Sequence, residues 1–354
     1  MAPKKTSFFA WLLAFVIPLT ACTVPPDPTT AAVSPETTTS TTHTVPTITR
    51  PTTSVLPSTL PSEPKEPYLV HNPYLIDDAY REKLGEDYEL YCSFVDAMLA
   101  YESTIPGFSS EQQLRTIWEI FMTEFYPARA ICATYHDTDT PFSYEDGIAT
   151  VCFKLDEQEH HQLLSDYEFI INDALSFIDE DDNEVEIIEK IYEYVSCTMS
   201  YDIGRIRDYT YECILSGTGV CRHYAEYMIL LLHHAGIEAF SCSSDCEAFP
   251  DFNHMWVIAR MNGQYYHFDP TWQSVGLPWQ WFAMSDEARY GSLQPQGLEI
   301  CLVEGSWPSD VDPWVIYVYR DTIPYKNGLP AIPACIDTYY DEYRFIKDSY
   351  PSQW

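Results

Sequence analysis

The sequence predicts an α+β fold in which a cysteine-bearing helix packs on an antiparallel sheet, preceded by an α/β N-terminal region. The prediction rests on three observations between Gly217 and Trp272. A cysteine begins an apolar-periodic helix, a histidine begins a strand after it, and an aspartate ends the next strand. These residues are Cys221, His254 and Asp269. A thiol, an imidazole and a carboxylate are the groups that nucleophilic and acid–base catalysis use.

The helix is predicted from the residues that follow Cys221. Gly217 and Gly219 indicate a turn before it, and Gly236 fits its C-terminal end. The apolar residues at helical spacing are Tyr224, Met228, Leu231, Leu232 and Ala235. Cys221 therefore falls in the first turn, where unpaired backbone N–H groups and the helix dipole favour a negative charge. Such a position lowers a thiol pKa from about 8.5 toward 7.5 or below, and the same N–H groups suit an oxyanion.

Two strands follow, one beginning at His254 and the other ending at Asp269. Asn262-Gly263 lies between them and is a strong signal for a two-residue type I′ turn. With that loop, Trp256 lies opposite Asp269, and His254 is the diagonal neighbour of Asp269 on the same face. Their backbones are then about 7–8 Å apart, within reach of a carboxylate-to-imidazole hydrogen bond. A one-residue bulge would break this register.

Three motifs in this order resemble those of the transglutaminase-like superfamily, a branch of the papain-like cysteine fold. They are GVC at 219–221, NHMW at 253–256 and FDPTW at 268–272. The resemblance extends to residues 200–202, 211–213 and 281–286, and it covers roughly residues 183–290. It implies a papain-like core with Cys221 as nucleophile, His254 as base and Asp269 as the acid that orients the base.

The chain departs from the family at the second oxyanion donor. The better-known transglutaminases use the indole of an upstream tryptophan, and this chain has no tryptophan between Trp118 and Cys221. The hydroxyl of Tyr201 or Tyr211 is the substitute that we consider. The departure leaves open whether the chain is a true transglutaminase.

The resemblance implies a secreted cysteine acyl-transfer enzyme that acts on peptide or glutamine carboxamide bonds through a thioester. We expect hydrolysis, as in a protease or amidase, rather than cross-linking, because no feature marks an amine-acceptor site. The alternative is a catalytically inert binding or scaffolding module displayed at the cell surface. The presence of all three catalytic residue types argues against that alternative.

The sequence gives weaker support to other catalytic or metal-binding residues near these three. His223 is a rival base, but a position two residues along a helix points it away from Cys221. His267 lies on the His254 face as a candidate supporting residue. A zinc site is conceivable, but its spacing fits no standard finger, so we predict no metal and no cofactor. Its ligands would be Cys221, Cys242, Cys246 and His254.

The N-terminus has the pattern of an export signal. Lys4 and Lys5 precede a short apolar run, and residues 1–22 end in Leu-Thr-Ala-Cys, which resembles a bacterial lipobox with Cys22 as the lipidated residue. Residues 23–67, rich in Thr, Pro and Ser, predict a disordered stalk. We therefore expect a protein on the extracellular face of the bacterial cell membrane, held by a lipid anchor only. An ordinary signal peptide, giving a secreted protein, is the alternative.

The remainder is divided by composition into three parts. They are an N-terminal α/β region at 68–180, the catalytic core at 181–290 and an aromatic-rich C-terminal extension at 291–354. Outside the core motifs, helices are predicted at 84–101, 110–125, 156–177 and 183–200, and strands at 130–135, 148–155 and 314–319.

The formal net charge is −34, which repels nucleic acid and anionic membrane surfaces. We therefore expect a protein or peptide substrate and no nucleic-acid partner; the sequence does not indicate an oligomeric state. There are 11 cysteines. Most lie in apolar runs and are typical of small buried side chains, whereas Cys242 and Cys246 flank a polar loop that a disulfide would close.

Overall fold

A computed structural model describes residues 67–135, 137–138, 140–204, 209–274, 279–293, 297–320 and 329–341. The predicted signal peptide, the lipobox with Cys22 and the stalk up to residue 66 lie outside the described residues. The described part mixes helices with three sheets, which confirms the α+β class. The predicted boundaries after residues 180 and 290 stay predictions.

The N-terminal region combines four helices with a small antiparallel sheet. The helices are α1 (Asp78–Leu84), α2 (Tyr88–Leu99), α3 (Glu111–Glu124) and α4 (Ala128–Ile131). The strands are β1 (Thr104–Pro106), β2 (Phe142–Glu145) and β3 (Ile148–Val151), in the order β1-β3-β2. Ser110 caps α3 as predicted, since its hydroxyl accepts a hydrogen bond from the Gln113 N–H at 3.2 Å.

The strand predicted at residues 130–135 is wrong. The chain instead forms the short helix α4 after Pro127, and only a single bridge joins Cys132 to Phe153. Ala128, Ile131 and Cys132 are fully buried. The polarity of a short buried run does not distinguish a strand from a helix, because both faces are apolar in either case. The strand predicted at 148–155 is present but ends at Val151.

Three helices and two short strands lead to the cysteine-bearing helix. These elements are α5 (Glu157–Leu175), α6 (Glu184–Thr198), β4 (Ser200–Tyr201), α7 (Thr210–Ser216), β5 (Thr218–Gly219) and α8 (Cys221–His234). Asp156 and Asn183 cap α5 and α6, each in a reciprocal capping box with a glutamate three residues later. Strands β4 and β5 pair in parallel, with Tyr201 opposite Gly219.

The central sheet has five strands. Its elements and the two short helices beside it are β6 (Ala239–Asp245), β7 (His254–Met261), β8 (Gln264–Phe268), α9 (Pro270–Ser274), α10 (Asp286–Leu293), β9 (Glu299–Val303) and β10 (Val315–Arg320). The strand order is β8-β7-β6-β10-β9. All pairings are antiparallel except β10 with β9. Helix α8 packs on β6 and β7, which confirms the predicted cysteine-bearing helix on an antiparallel sheet.

The predicted C-terminal extension completes this sheet. Strand β10 was predicted at 314–319, and it inserts between β6 and β9. The position of β9 beside it was not predicted. Within the described residues, no helix combines the length and hydropathy needed to cross a bilayer.

The disulfide considered between Cys242 and Cys246 is absent. Both thiols are buried, and neither forms a disulfide. Cys242 lies within β6, and Cys246 follows that strand, where its backbone N–H donates to the Asn253 side chain at 2.9 Å.

Candidate active site

The hairpin between β7 and β8 has the predicted turn and register. Asn262 and Gly263 both have positive φ angles, 52° and 80°, as a type I′ turn requires. Met261 pairs with Gln264, and the register continues without a bulge to Val257 and Phe268. His254 therefore begins one strand, while Asp269 directly follows the other.

The first of the three predicted residues, Cys221, begins α8 and is partly exposed. The His254 imidazole and the Met255 backbone N–H lie beside its thiol and favour the thiolate. Burial by itself would raise the pKa of the Cys221 thiol. The contacts from His254 and Met255 outweigh burial, so the pKa lies below its ordinary value.

Two glycines bring this helix start into place. Gly217 ends α7 in the left-handed conformation, with φ of 63°. A Cβ at Gly219 would lie 2.8 Å from the His223 Cβ and 3.0 Å from the Met199 Cε. Packing thus requires glycine at 219, because His223 in the first turn of α8 and Met199 at the end of α6 leave no room for a side chain.

The imidazole of His254 lies between the thiol and the carboxylate. Its Nε2 is 2.7 Å from Asp269 Oδ2, which leaves Nδ1 as the ring nitrogen for the thiol. Trp256 stacks beside the ring at 6.2 Å between centroids, and Trp272 lies at 5.5 Å. Burial would lower the pKa of His254, but the Asp269 charge and hydrogen bond, aided by Cys221, raise it to about 9.

The carboxylate of Asp269 is fully buried, and its backbone is held on both sides. Its N–H donates to the Trp281 carbonyl at 2.9 Å, and its own carbonyl accepts from the Tyr192 hydroxyl at 3.2 Å. Oδ2 contacts His254 and also lies 3.4 Å from Nη2 of Arg289. The structure therefore brings Cys221, His254 and Asp269 into one connected chain of contacts.

Arg289 and Trp281 were not identified as site residues from the sequence. Arg289 lies in α10 and is 1% exposed. Nothing in the sequence around it distinguishes it from a solvent-facing arginine. Trp281 lies within the downstream segment of the family resemblance, but its role in holding the Asp269 backbone depends on tertiary packing.

The two tyrosines considered as oxyanion donors are placed differently. The Tyr211 hydroxyl donates to Glu212 Oε1 at 3.1 Å, and its ring stacks on Tyr209, so Tyr211 is engaged within α7. Tyr201 is 38% exposed, and its backbone pairs with Gly219, two residues before the cysteine. Tyr201 therefore stays the better candidate.

The two neighbouring histidines serve other contacts. The His223 Nδ1 accepts a hydrogen bond from the Val220 N–H at 3.1 Å, which caps the start of α8. The His267 Nδ1 accepts from the Trp256 indole at 2.9 Å, and Nε2 lies 2.9 Å from Asp286 Oδ1. His267 is thus a neutral imidazole with both nitrogens engaged.

Across the described ranges, only His267, Asp286 and Cys335 group three ligand atoms closely enough for a metal, within 4.8 Å of one another. Because both His267 nitrogens already have partners, a metal would have to displace one of these hydrogen bonds. The residues fit a structural hydrogen-bond cluster better than a metal site.

Comparison with known proteins agrees with the family resemblance. Residues 174–270 match the family model described as "Transglutaminase-like superfamily", so this segment is a transglutaminase-like domain. The match begins within α5 and ends at Pro270, before the predicted downstream motif at 281–286. No curated protein matches the sequence.

Three solved structures are similar at low identity. One is described as "a Putative Cysteine Protease from Cytophaga hutchinsonii" (19% identity, 33% of this chain and 43% of that chain, TM-score 0.26). The second is "a TGase" (10% identity, 50% of this chain and 54% of that chain, TM-score 0.30). The third is "a putative protease from Parabacteroides distasonis ATCC 8503" (15% identity, 40% of this chain and 31% of that chain, TM-score 0.23). The alignments span only 31–54% of those chains. Because every TM-score is below 0.5, the assignment of residues 174–270 rests on the family match.

Proposed function

We propose that the transglutaminase-like domain is a cysteine acyl-transfer enzyme acting on peptide or glutamine carboxamide bonds, with Cys221, His254 and Asp269 as its triad. The observation that carries the proposal is the 2.7 Å contact between His254 and Asp269, with the Cys221 thiol beside the same imidazole. The lowered pKa of the thiol and the raised pKa of the imidazole favour a thiolate–imidazolium pair near neutral pH.

In the proposed reaction the Cys221 thiolate attacks the substrate carbonyl carbon, forming a C–S bond and a tetrahedral oxyanion. The His254 imidazolium then gives its proton to the leaving nitrogen, the C–N bond breaks, and an amine or ammonia departs. Asp269 holds the ring and stabilises its charged form. In the second half, neutral His254 takes a proton from water as it attacks the thioester, and the thiolate is released again.

Water is the acyl acceptor that we propose, which makes the enzyme a protease or amidase. The same thioester would be resolved by a primary amine in a cross-linking enzyme. Hydrolysis needs only water at the thioester, and no sequence feature marks an acceptor-amine site. The missing upstream tryptophan supports the same choice.

The test is to incubate the protein with glutamine-containing peptides, with and without a primary amine, and to identify the products by mass spectrometry. We expect cleaved or deamidated peptide, little aminated peptide, and no product from Cys221→Ala. Predominant amine incorporation would replace hydrolysis by cross-linking. No product and no covalent adduct on Cys221 with any peptide would instead favour the inert binding module.

We also propose that the protein is anchored by lipid at Cys22, outside the bacterial cell membrane. The support is the order of charged residues, short apolar run and Leu-Thr-Ala-Cys22. In cells, Cys22→Ala should move the protein from the membrane fraction to the medium or leave it unprocessed. A variant whose signal segment is removed and that still fractionates with the membrane would contradict the lipid anchor.

A further inference from the structure

The site contains a buried positive charge that the proposed reaction does not use directly. Of the lysines and arginines that the structure describes, Arg289 alone is fully buried, at 1% exposure. Its Nη2 is 3.4 Å from Asp269 Oδ2. Its guanidinium carbon lies 4.0 Å from the centre of the Trp256 ring and 5.4 Å from that of Trp281.

This arginine is poorly explained as a purely structural residue. Its Nε and Nη2 have no hydrogen-bond partner within the described ranges, and neither does Oδ1 of Asp269. Burying an ion pair with unsatisfied donors costs free energy, and an apolar side chain of similar size is often as stable or more so. Local violations of this kind are typical of functional sites.

The other groups around the guanidinium do not compete with Asp269 for its charge. Burial lowers the pKa of His267 and raises that of Tyr290, so both are neutral near pH 7. The buried thiol of Cys242 faces the guanidinium from β6. Asp286, on the same helix, is bonded to His267 and to the Cys335 N–H. Asp269 is therefore the carboxylate that contacts Arg289.

We infer that Arg289 is a positioning residue for the proposed acyl transfer, an inference that rests on the proposed function: its guanidinium holds the Asp269 carboxylate in place, with Oδ2 directed at His254. The site then holds four alternating charges in a row: thiolate, imidazolium, carboxylate and guanidinium. Their sum is zero, which suits a largely buried site better than a net charge does.

The inference predicts what happens when the cation is removed. Removing one partner of a buried ion pair leaves the other charge without compensation. Without the guanidinium, the Asp269 carboxylate is no longer held against His254, so the imidazolium and the thiolate beside it are less stabilised. The acid limb of Cys221 alkylation should therefore move up by about one pH unit, with about a tenfold loss of rate on that limb.

The experiment compares the pH dependence of Cys221 alkylation by iodoacetamide, resolved by peptide mass spectrometry. The variants are Arg289→Met, Arg289→Gln and Arg289→Lys. Arg320→Met is the matched control, because Arg320 also stacks on an aromatic ring, Phe240 at 3.8 Å, on the same central sheet. We expect the limb to move in the Met and Gln variants and to stay in place in the Lys variant and the control.

If the acid limb of Cys221 alkylation in Arg289→Gln coincides with that of wild type, the inference is overturned. It is also overturned if Arg289→Lys shifts the acid limb as far as Arg289→Gln does. If the Met variant fails to fold, the Gln and Lys variants decide in the same way. The outcome is separable from the proposed function. Wild-type Cys221 without enhanced reactivity refutes the function itself, whereas a reactive wild type with an unshifted Gln variant refutes only the role of Arg289.

Discussion

Replacing Asp269 by asparagine removes the carboxylate charge while nearly preserving the size of the side chain. The pKa of His254 is raised from 6.5 to about 9, although burial alone would lower it. Asp269 and Cys221 together therefore outweigh burial and stabilise the imidazolium by roughly 3 kcal/mol. Asp269 is the larger contributor, so at least half of this shift depends on it.

The loss of that charge moves the proton from His254 back to Cys221. If half to all of the rise in the pKa of His254 is lost, the thiolate population falls by about 20-fold to 300-fold. We expect the alkylation rate of Cys221 at pH 6 to fall by this factor in Asp269→Asn, with the unfolding temperature measured in parallel. Asp286→Asn is the matched control, since it removes a carboxylate from the neighbouring pair with His267. The control should stay within about threefold of wild type.

Equal losses in the two variants would refute the reasoning, because they would trace the effect to general destabilisation. So would an Asp269→Asn variant that is alkylated as fast as wild type. In that case the imidazolium would not depend on the carboxylate that contacts it.

Two further predictions concern pH and packing. Peptide hydrolysis should follow a bell-shaped pH profile whose alkaline limb lies near pH 9. The reason is that the imidazolium, which protonates the leaving nitrogen, is lost as pH rises through the pKa of His254. A hydrolysis rate that still rises above that pH would contradict His254 as the acid. Gly219→Ala should lower the free energy of unfolding by about 1–3 kcal/mol and slow alkylation, since its Cβ would meet His223 at 2.8 Å. Gly291→Ala, with open space around its Cβ, is the control in denaturant unfolding, and equal losses in both would rule out the packing explanation.

Much of the site could be predicted because its signals are local. The capping residues Asp156 and Asn183 fix where helices begin, and Asn262-Gly263 fixes both the turn and the register of the hairpin. A register without a bulge places His254 beside Asp269 by geometry alone. These signals act over a few residues, so the sequence carries them directly.

The unpredicted features depend on contacts distant in sequence. The run at 128–133 contains one exposed polar residue, Arg129, which is too little to show a period. Strand β10 reaches β6 from more than seventy residues away, as the pairing of Tyr317 with Asp245 shows. The burial of Arg289 follows from how α10 packs against β8 and the tryptophans, which no local pattern around it indicates.

Cys221 as an activated nucleophile is tested most directly by its alkylation with iodoacetamide at pH 6, in wild type and in His254→Ala. The exposed Cys152 of the same chain is the internal reference. We predict that Cys221, although less exposed, is alkylated faster than Cys152, and that His254→Ala abolishes this advantage. If Cys221 is alkylated no faster than Cys152 in the native protein, or equally fast without His254, the catalytic account is contradicted.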